Sequence, residues 1–245
     1  MKKICTIFLL CIGLRLHAGD DDFCNVKNTA FKAGEDITYH VYYTLAGIYV
    51  MGGEASFTIN AEQLNGKPAY HMIAQGKTNS FFDGFFKVRD KYESYIDTET
   101  LQPLKFVRSV EEGKYKKKET TLFNHNTNTA TVENNTYKTP KCIHDAISSV
   151  YYARNINFNK YNKNDKIPFD LFIDNEVYHL YIRYLGKERV KTRFGKFNAI
   201  KFKPLLIKGE TFSGGEKMTV WVTDDENHLP IRIESEISVG NIKVD

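Results

Sequence analysis

The sequence predicts an all-β fold: a mainly antiparallel, strongly curved or barrel-like sheet of about a dozen strands, with one packed α-helix. Three observations predict it. Apolar and polar residues alternate with period two through most of the chain, the signature of strands with one buried face. Aromatic residues are abundant, with 17 Phe and 15 Tyr in 245 residues, as bulky strand faces require. Only one stretch, His144 to Asn155, breaks the alternation for helical spacing, with Ile147, Val150, Tyr151 and Arg154 in phase.

In chain order, the first strand alternates Ile37, Tyr39, Val41 and Tyr43 against Thr38, His40, Tyr42 and Thr44. Gly47, Gly52 and Gly53 then predict a bend or bulge. Asn65-Gly66 is the strongest short hairpin signal and returns the Ala55–Asn60 strand into Ala69–Gln75. Ser80-Phe-Phe-Asp-Gly-Phe-Phe-Lys87 sets four aromatics around an Asp-Gly turn, either as a hairpin tip folded into the core or as an apolar lip for a ligand or membrane surface. Strands follow over 88–97, 102–110, 114–123 and 129–133, and the Lys116-Lys117-Lys118 run suits an edge-protecting stretch. The helix comes next, with His144 or Asp145 as its cap. Asp174-Asn175 joins two further strands, and Gly195-Lys196 another pair. Near the end, Met218, Val220 and Val222 share one face with Trp221 on the other. The acidic turn Asp224-Asp225-Glu226-Asn227 leads to a strand opened by Pro230, with Ile231, Ile233 and Ile237 in phase. No linker and no internal repeat interrupts this order, so residues 19–245 read as a single domain.

The first eighteen residues read as a secretory signal: Lys2 and Lys3, an apolar run from Ile4 to Leu14, then Leu16-His17-Ala18 before an acidic start. The run is too brief for a membrane span, and no later stretch could make one. The expected location is therefore exported and periplasmic, the alternative being a lipoprotein anchored through Cys11. Removing residues 1–18 takes away Lys2, Lys3 and Arg15 and lowers the formal charge from +4 to +1, which gives no reason to expect a nucleic-acid partner. Cys24 and Cys142 remain, and in an oxidising compartment they could form a disulfide or stay as two separate thiols. Closing so long a loop would contribute about 4–5 kcal/mol in the chain-entropy model.

Several motifs together resemble the bacterial exported family catalogued as domain of unknown function 3108. They are Phe31-x-x-Gly34-Glu35-x-x-x-Tyr39, Asp90-x-Tyr92 with Ile96-Asp97, and Asp145-Ala-Ile147-Ser148-x-x-Tyr151-x-x-Arg154. Gly195-Lys-Phe197 follows, then Val220-Trp221-Val222-x-Asp224-Asp225 with Pro230 and Gly240. The resemblance implies an exported β-rich protein and supplies no catalytic residue.

Catalytic signatures are absent: no Gly-x-Ser-x-Gly elbow, phosphate loop, dinucleotide fingerprint or His-Glu-x-x-His. The six histidines after the signal stand singly, so neither metal nor cofactor is expected. The acidic turn could hold calcium, or Asp225 could pin the turn through backbone N–H groups. Arg154 is expected to anchor helix to sheet by pairing with Glu35 or Asp90, three residues that could also form a polar cluster. Phe81, Phe82, Phe85, Phe86 and Trp221 are the candidate ligand-binding residues. The reading placed first is a binding or carrier module for a lipid or other amphiphilic small molecule, which needs an open cavity. An envelope structural or assembly factor, working through protein contacts, predicts a filled interior and an exposed apolar patch instead. An envelope-polymer hydrolase would need two carboxylates converging in a cleft, and no spacing in the sequence shows that.

Overall fold

The structure is a computed structural model and describes residues 26–45, 48–208, 214–237 and 240–245. Residues 1–18, where the sequence predicts a signal and which include Cys11, lie outside the described residues, as does Cys24. The first half of the sheet comprises β1 (Asp36–Leu45), β2 (Ile48–Leu64), β3 (Lys67–Thr78), β4 (Arg89–Asp97), β5 (Pro103–Glu112), β6 (Tyr115–Asn124), β7 (Thr129–Val132) and β8 (Asn135–Lys138). The second half comprises β9 (Ile143–His144), β10 (Lys166–Ile173), β11 (Glu176–Thr192), β12 (Gly195–Pro204), β13 (Met218–Thr223), β14 (Pro230–Glu236) and β15 (Asn241–Val244). Two α-helices, α1 (Ser80–Asp83) and α2 (Ala146–Ala153), and a 3₁₀ turn at Phe158–Lys160 complete it.

All fifteen strands belong to one sheet, in the order β8-β7-β6-β5-β4-β3-β2-β1-β15-β14-β13-β12-β11-β10-β9. Each neighbour pair is antiparallel except β9 with β10. The first and last strands therefore meet in the middle, Val41 opposite Val244, and the two free edges come from the centre of the sequence. The sheet does not close by hydrogen bonding. It curls until its halves touch: Phe123 of β6 and Tyr137 of β8 pack on Phe172 of β10. Arg108 of β5 and Lys117 of β6 reach Asp174 in the β10–β11 turn. Residues 139–142 span the remaining seam, where Cys142 is disulfide-bonded; Cys24, the partner expected from the sequence, lies outside the described residues.

Turn chemistry fixes the registers that the alternation needs. Asn65 and Gly66 take φ of 52° and 78°, and Asp174 and Asn175 take 53° and 65°, the left-handed pair of a two-residue hairpin loop. Gly52 is bulged out of β2, since Val41 pairs with Gly53 and Tyr42 with Met51. Gly53 has no alternative, because a Cβ there would lie 2.2 Å from the carbonyl oxygen of Lys77. With the registers set, Ile59, Met72, Ile96, Phe106, Ile167, Phe172 and Ile200 all turn into the curl and are buried.

The curled sheet leaves space between its halves, and α2 packs there against the inner face. Ile147, Tyr151 and Tyr152 lie in the core with Phe158, and Phe31 meets Tyr151 edge-on at 5.1 Å. Asp145 caps the helix by accepting from the N–H groups of Ile147 and Ser148, both at 2.8 Å, while the Ser148 hydroxyl accepts from Asp145 N–H. At the other end Arg154, 4 % exposed, forms a two-pronged ion pair with Glu35 and donates to the carbonyls of Ala30 and Asn227.

Some expectations change. Among the described residues there are fifteen strands rather than about a dozen; β8 and β9, four and two residues long, offer no window for alternation. Two α-helices are described, the extra one being the single turn α1. Ile231 and Ile233 are not in phase: the register shifts so that Trp221 opposes Arg232 and Val222 opposes Pro230, leaving Ile231 in a bulge. Ile233 packs on the main core, while Ile231 joins Trp221, Val190 and Ala199 in a small cluster of its own. Lys116 to Lys118 do border a free edge, since β7 pairs with β6 only from Thr121 onward, but Lys117 turns to Glu119 and Asp174.

Two outcomes are expected. Gly53→Ala should lower the melting temperature by several degrees, whereas Gly52→Ala, whose Cβ would sit 3.7 Å or more from its neighbours, should be tolerated. Arg154→Met should cost about 3–5 kcal/mol in urea denaturation, since it strands Glu35 and two carbonyls, and Arg154→Lys should recover only part of it.

Candidate interaction surface

Among the described residues, the largest group of exposed apolar side chains lies at one end of the sheet, on three neighbouring connections. The β1–β2 hairpin supplies Ile48, Tyr49, Val50 and Met51, of which Ile48 is 66 % exposed. The β3–β4 connection supplies Phe81, Phe85 and Phe86, with Phe85 78 % exposed. The β5–β6 turn adds Tyr115. Because β3 pairs with β2 only from Gly53, residues 48–51 project beyond it.

Local chemistry makes this end a fixed shape. Asn79 caps α1 through Phe82 N–H, and it binds the hairpin from both sides, its side chain donating to Met51 O at 2.6 Å and its N–H to Gly52 O at 2.9 Å. Phe82 turns back onto Tyr43, with ring centroids 5.9 Å apart, and only this member of the four is drawn inward. Asp83 accepts from Thr78 and Arg89, and these donors hold its carboxyl below the usual carboxylate range. Lys87 O accepts from Gly113 N–H at 2.8 Å, which places the β5–β6 turn under Phe86.

Lysines ring the apolar residues. Lys77 pairs with Glu54, and Lys87 and Lys116 share Glu111. Behind them, on the inner side, Asp90 accepts from Glu111 N–H and is hydrogen-bonded to Glu112. Burial raises the Asp90 carboxyl to about 7, and the Glu112 carboxylate beside it pushes the same way.

The structure distributes the sequence candidates among separate places. Phe81, Phe82, Phe85 and Phe86 share the apolar end. Trp221 is elsewhere and buried, its indole N–H donating to Glu188 at 2.6 Å with Lys201 above its ring. Glu35 and Arg154 are paired, while Asp90 is held by Glu111 and Glu112 instead, because β4 carries it to the opposite end of the sheet. In the acidic turn Asp225 accepts from Thr223 Oγ and Asn227 N–H, and Asp224 pairs with Lys187, so these oxygens already serve the turn. No group of three or more His, Cys, Asp or Glu suited to a metal occurs among the described residues. Sequence reasoning missed Ile48 to Met51, although four apolar residues in a row outside any alternation were a usable signal.

Two polar grooves lie on the outer face. One, of about 430 Å³, includes Thr38, Ser56, Gln75, Lys91 and Ser109; the other, of about 590 Å³, includes Lys203, Lys217, Glu234 and Lys243. The interior is filled by α2 and the aromatic side chains around it.

Fold and surface together define a barrel-like protein, a curled sheet plugged by a helix. Residues 38–245 match the family described as protein of unknown function, DUF3108, and the chain belongs to that family. A search of curated proteins finds no match. Among solved structures, the chain is similar to a beta-barrel-like protein of domain of unknown function DUF1849 from Brucella abortus. The TM-score is 0.54 at 8 % identity, over 86 % of this chain and 94 % of that one, a likeness of fold. A protein of YmcC-like fold from Bacteroides fragilis aligns over 90 % of this chain and 97 % of that one at 11 % identity, with a TM-score of 0.34. No described helix is long and apolar enough to cross a membrane.

The buried acids set a pH dependence. Asp145, fully enclosed with Ser94 Oγ donating to it at 2.6 Å, is raised to about 6 by burial, as Asp90 is to about 7. The folded chain keeps these protons where the unfolded chain has released them, so stability should fall as pH rises from about 4 to about 7. Glu216 acts oppositely: Arg183 and then Tyr181 hold it at about 2, so its contribution is lost as pH falls below its unfolded value of 4.5. The melting temperature should therefore peak near pH 4, and Asp90→Asn should flatten the descent towards neutral pH in a series of thermal melts.

Proposed function

We propose that this protein is an exported, non-enzymatic docking module of the cell envelope that works through its apolar end. The observation that carries the reading is the cluster of Ile48, Tyr49, Phe81, Phe85 and Phe86, exposed yet braced by Asn79 and Gly113. Exposed aromatics held rigid on a scaffold suit binding, since ordering them costs little on contact. The Lys2–Ala18 segment supports export.

The filled interior weighs against a carrier that encloses its ligand, the reading first suggested by sequence. A hydrolase finds no support either. Asp90 and Glu112 are hydrogen-bonded to each other, whereas glycosidase carboxylates stand roughly 5 Å or more apart to admit the substrate.

The test is co-sedimentation of the purified chain with envelopes washed free of it. Wild type should pellet with them. The Phe81→Ser/Phe85→Ser variant, folded by circular dichroism, should stay in solution, and Trp221→Phe should behave as wild type. Equal pelleting of all three would overturn the reading.

A further inference from the structure

From the same apolar end, and resting on the docking reading, we infer that the surface engaged is that of an anionic phospholipid bilayer. Shape points there first. The exposed side chains come from three connections at the strand ends and protrude along the strands, with residues 48–51 reaching beyond the paired part of β3. Phe81, Phe85 and Phe86 line neither groove and are open to insertion between headgroups, while Tyr49 borders the second groove.

Composition points the same way. The tip carries Phe, Tyr, Ile and Met, the side chains that settle at the boundary of headgroup and acyl chain. Around them, residues 48–54, 76–91 and 109–118 hold eight Lys or Arg against five Asp or Glu, a formal charge of +3. That exceeds the +1 of the whole chain after residue 18, so positive charge is concentrated behind the apolar residues. Glu111 fixes the amines of Lys87 and Lys116 at the rim, while Lys114 and Lys118 are exposed on the same turn and strand. Headgroup phosphates meeting such a rim would be paired while the rings pass below them.

The experiment uses protein-free vesicles, of phosphatidylcholine alone or with one third phosphatidylglycerol. The purified chain should bind the anionic vesicles about tenfold more tightly than the neutral ones, and lose that advantage in 1 M salt. Phe81→Ser/Phe85→Ser and Lys114→Glu/Lys116→Glu should each weaken binding about tenfold or more. In a Trp221→Phe background, Phe85→Trp should show a blue-shifted emission on the anionic vesicles. Failure to bind them, or binding unaffected by both double variants, overturns the lipid assignment. If envelopes are still bound through Phe81 and Phe85 in that case, the docking reading stands with a protein as partner. If envelope binding ignores those residues, the docking reading falls as well.

Discussion

Arg154 is the point on which the wrapping of the sheet depends. A helix packed inside a curled sheet has its end groups far from water, and each must find a partner. Arg154 stands just past the last turn of α2 and gathers Glu35 from the start of β1, Ala30 from the segment before it and Asn227 from the β13–β14 turn. Its own carbonyl accepts from His228 at 2.6 Å. Three distant parts of the chain, 30–35, the end of α2 and the β13–β14 turn, thus meet at one guanidinium, and the planar fork of donors is what lets one side chain serve them. At the opposite end Asp145 does the complementary work, joining the helix to Ser94 of β4. The plug is fixed at both ends to both halves of the sheet.

That arrangement explains where a function can sit. With the lumen occupied by Tyr151, Tyr152 and Phe158, the inner face is committed to stability. The outer face offers polar grooves and one small apolar cluster sealed over Trp221. What remains is the strand ends, and at one of them apolar side chains are held out by hydrogen bonds that a merely loose loop would not have. Phe82 marks the boundary between the two roles: it packs on Tyr43 and supports the loop, while Phe81 and Phe85 on either side of it face solvent.

Much of this was legible before any coordinates. Asn65-Gly66 and Asp174-Asn175 dictated their hairpins because the left-handed backbone leaves few residue choices, and the helix announced itself through one break in period and an Asp cap. The pairing of Arg154 with a strand carboxylate followed from the cost of burying an unpaired charge, but Glu35 and Asp90 were equally available to that argument. Only the register, which sends Asp90 to the far end, separates them. The bulge at Ile231 was hidden because a single extra residue leaves the composition unchanged while reversing the faces that follow. The four phenylalanines were visible as either core or lip, and their outward fate depends on Asn79 binding the β1–β2 hairpin, a contact between segments nearly thirty residues apart.

The order of strands has a consequence for how the molecule comes into being. Apart from the parallel β9–β10 pair, each half is a meander of hairpins between sequence neighbours and can form as it emerges. The seam that joins the halves is between the first strand and the last. β1 must therefore present a vacant edge, Tyr42 to Thr44 included, until Asn241 to Val244 exist. Until then the nascent chain carries an open strand that any other extended segment could occupy, and the pairing of Asn241 to Val244 ends that exposure.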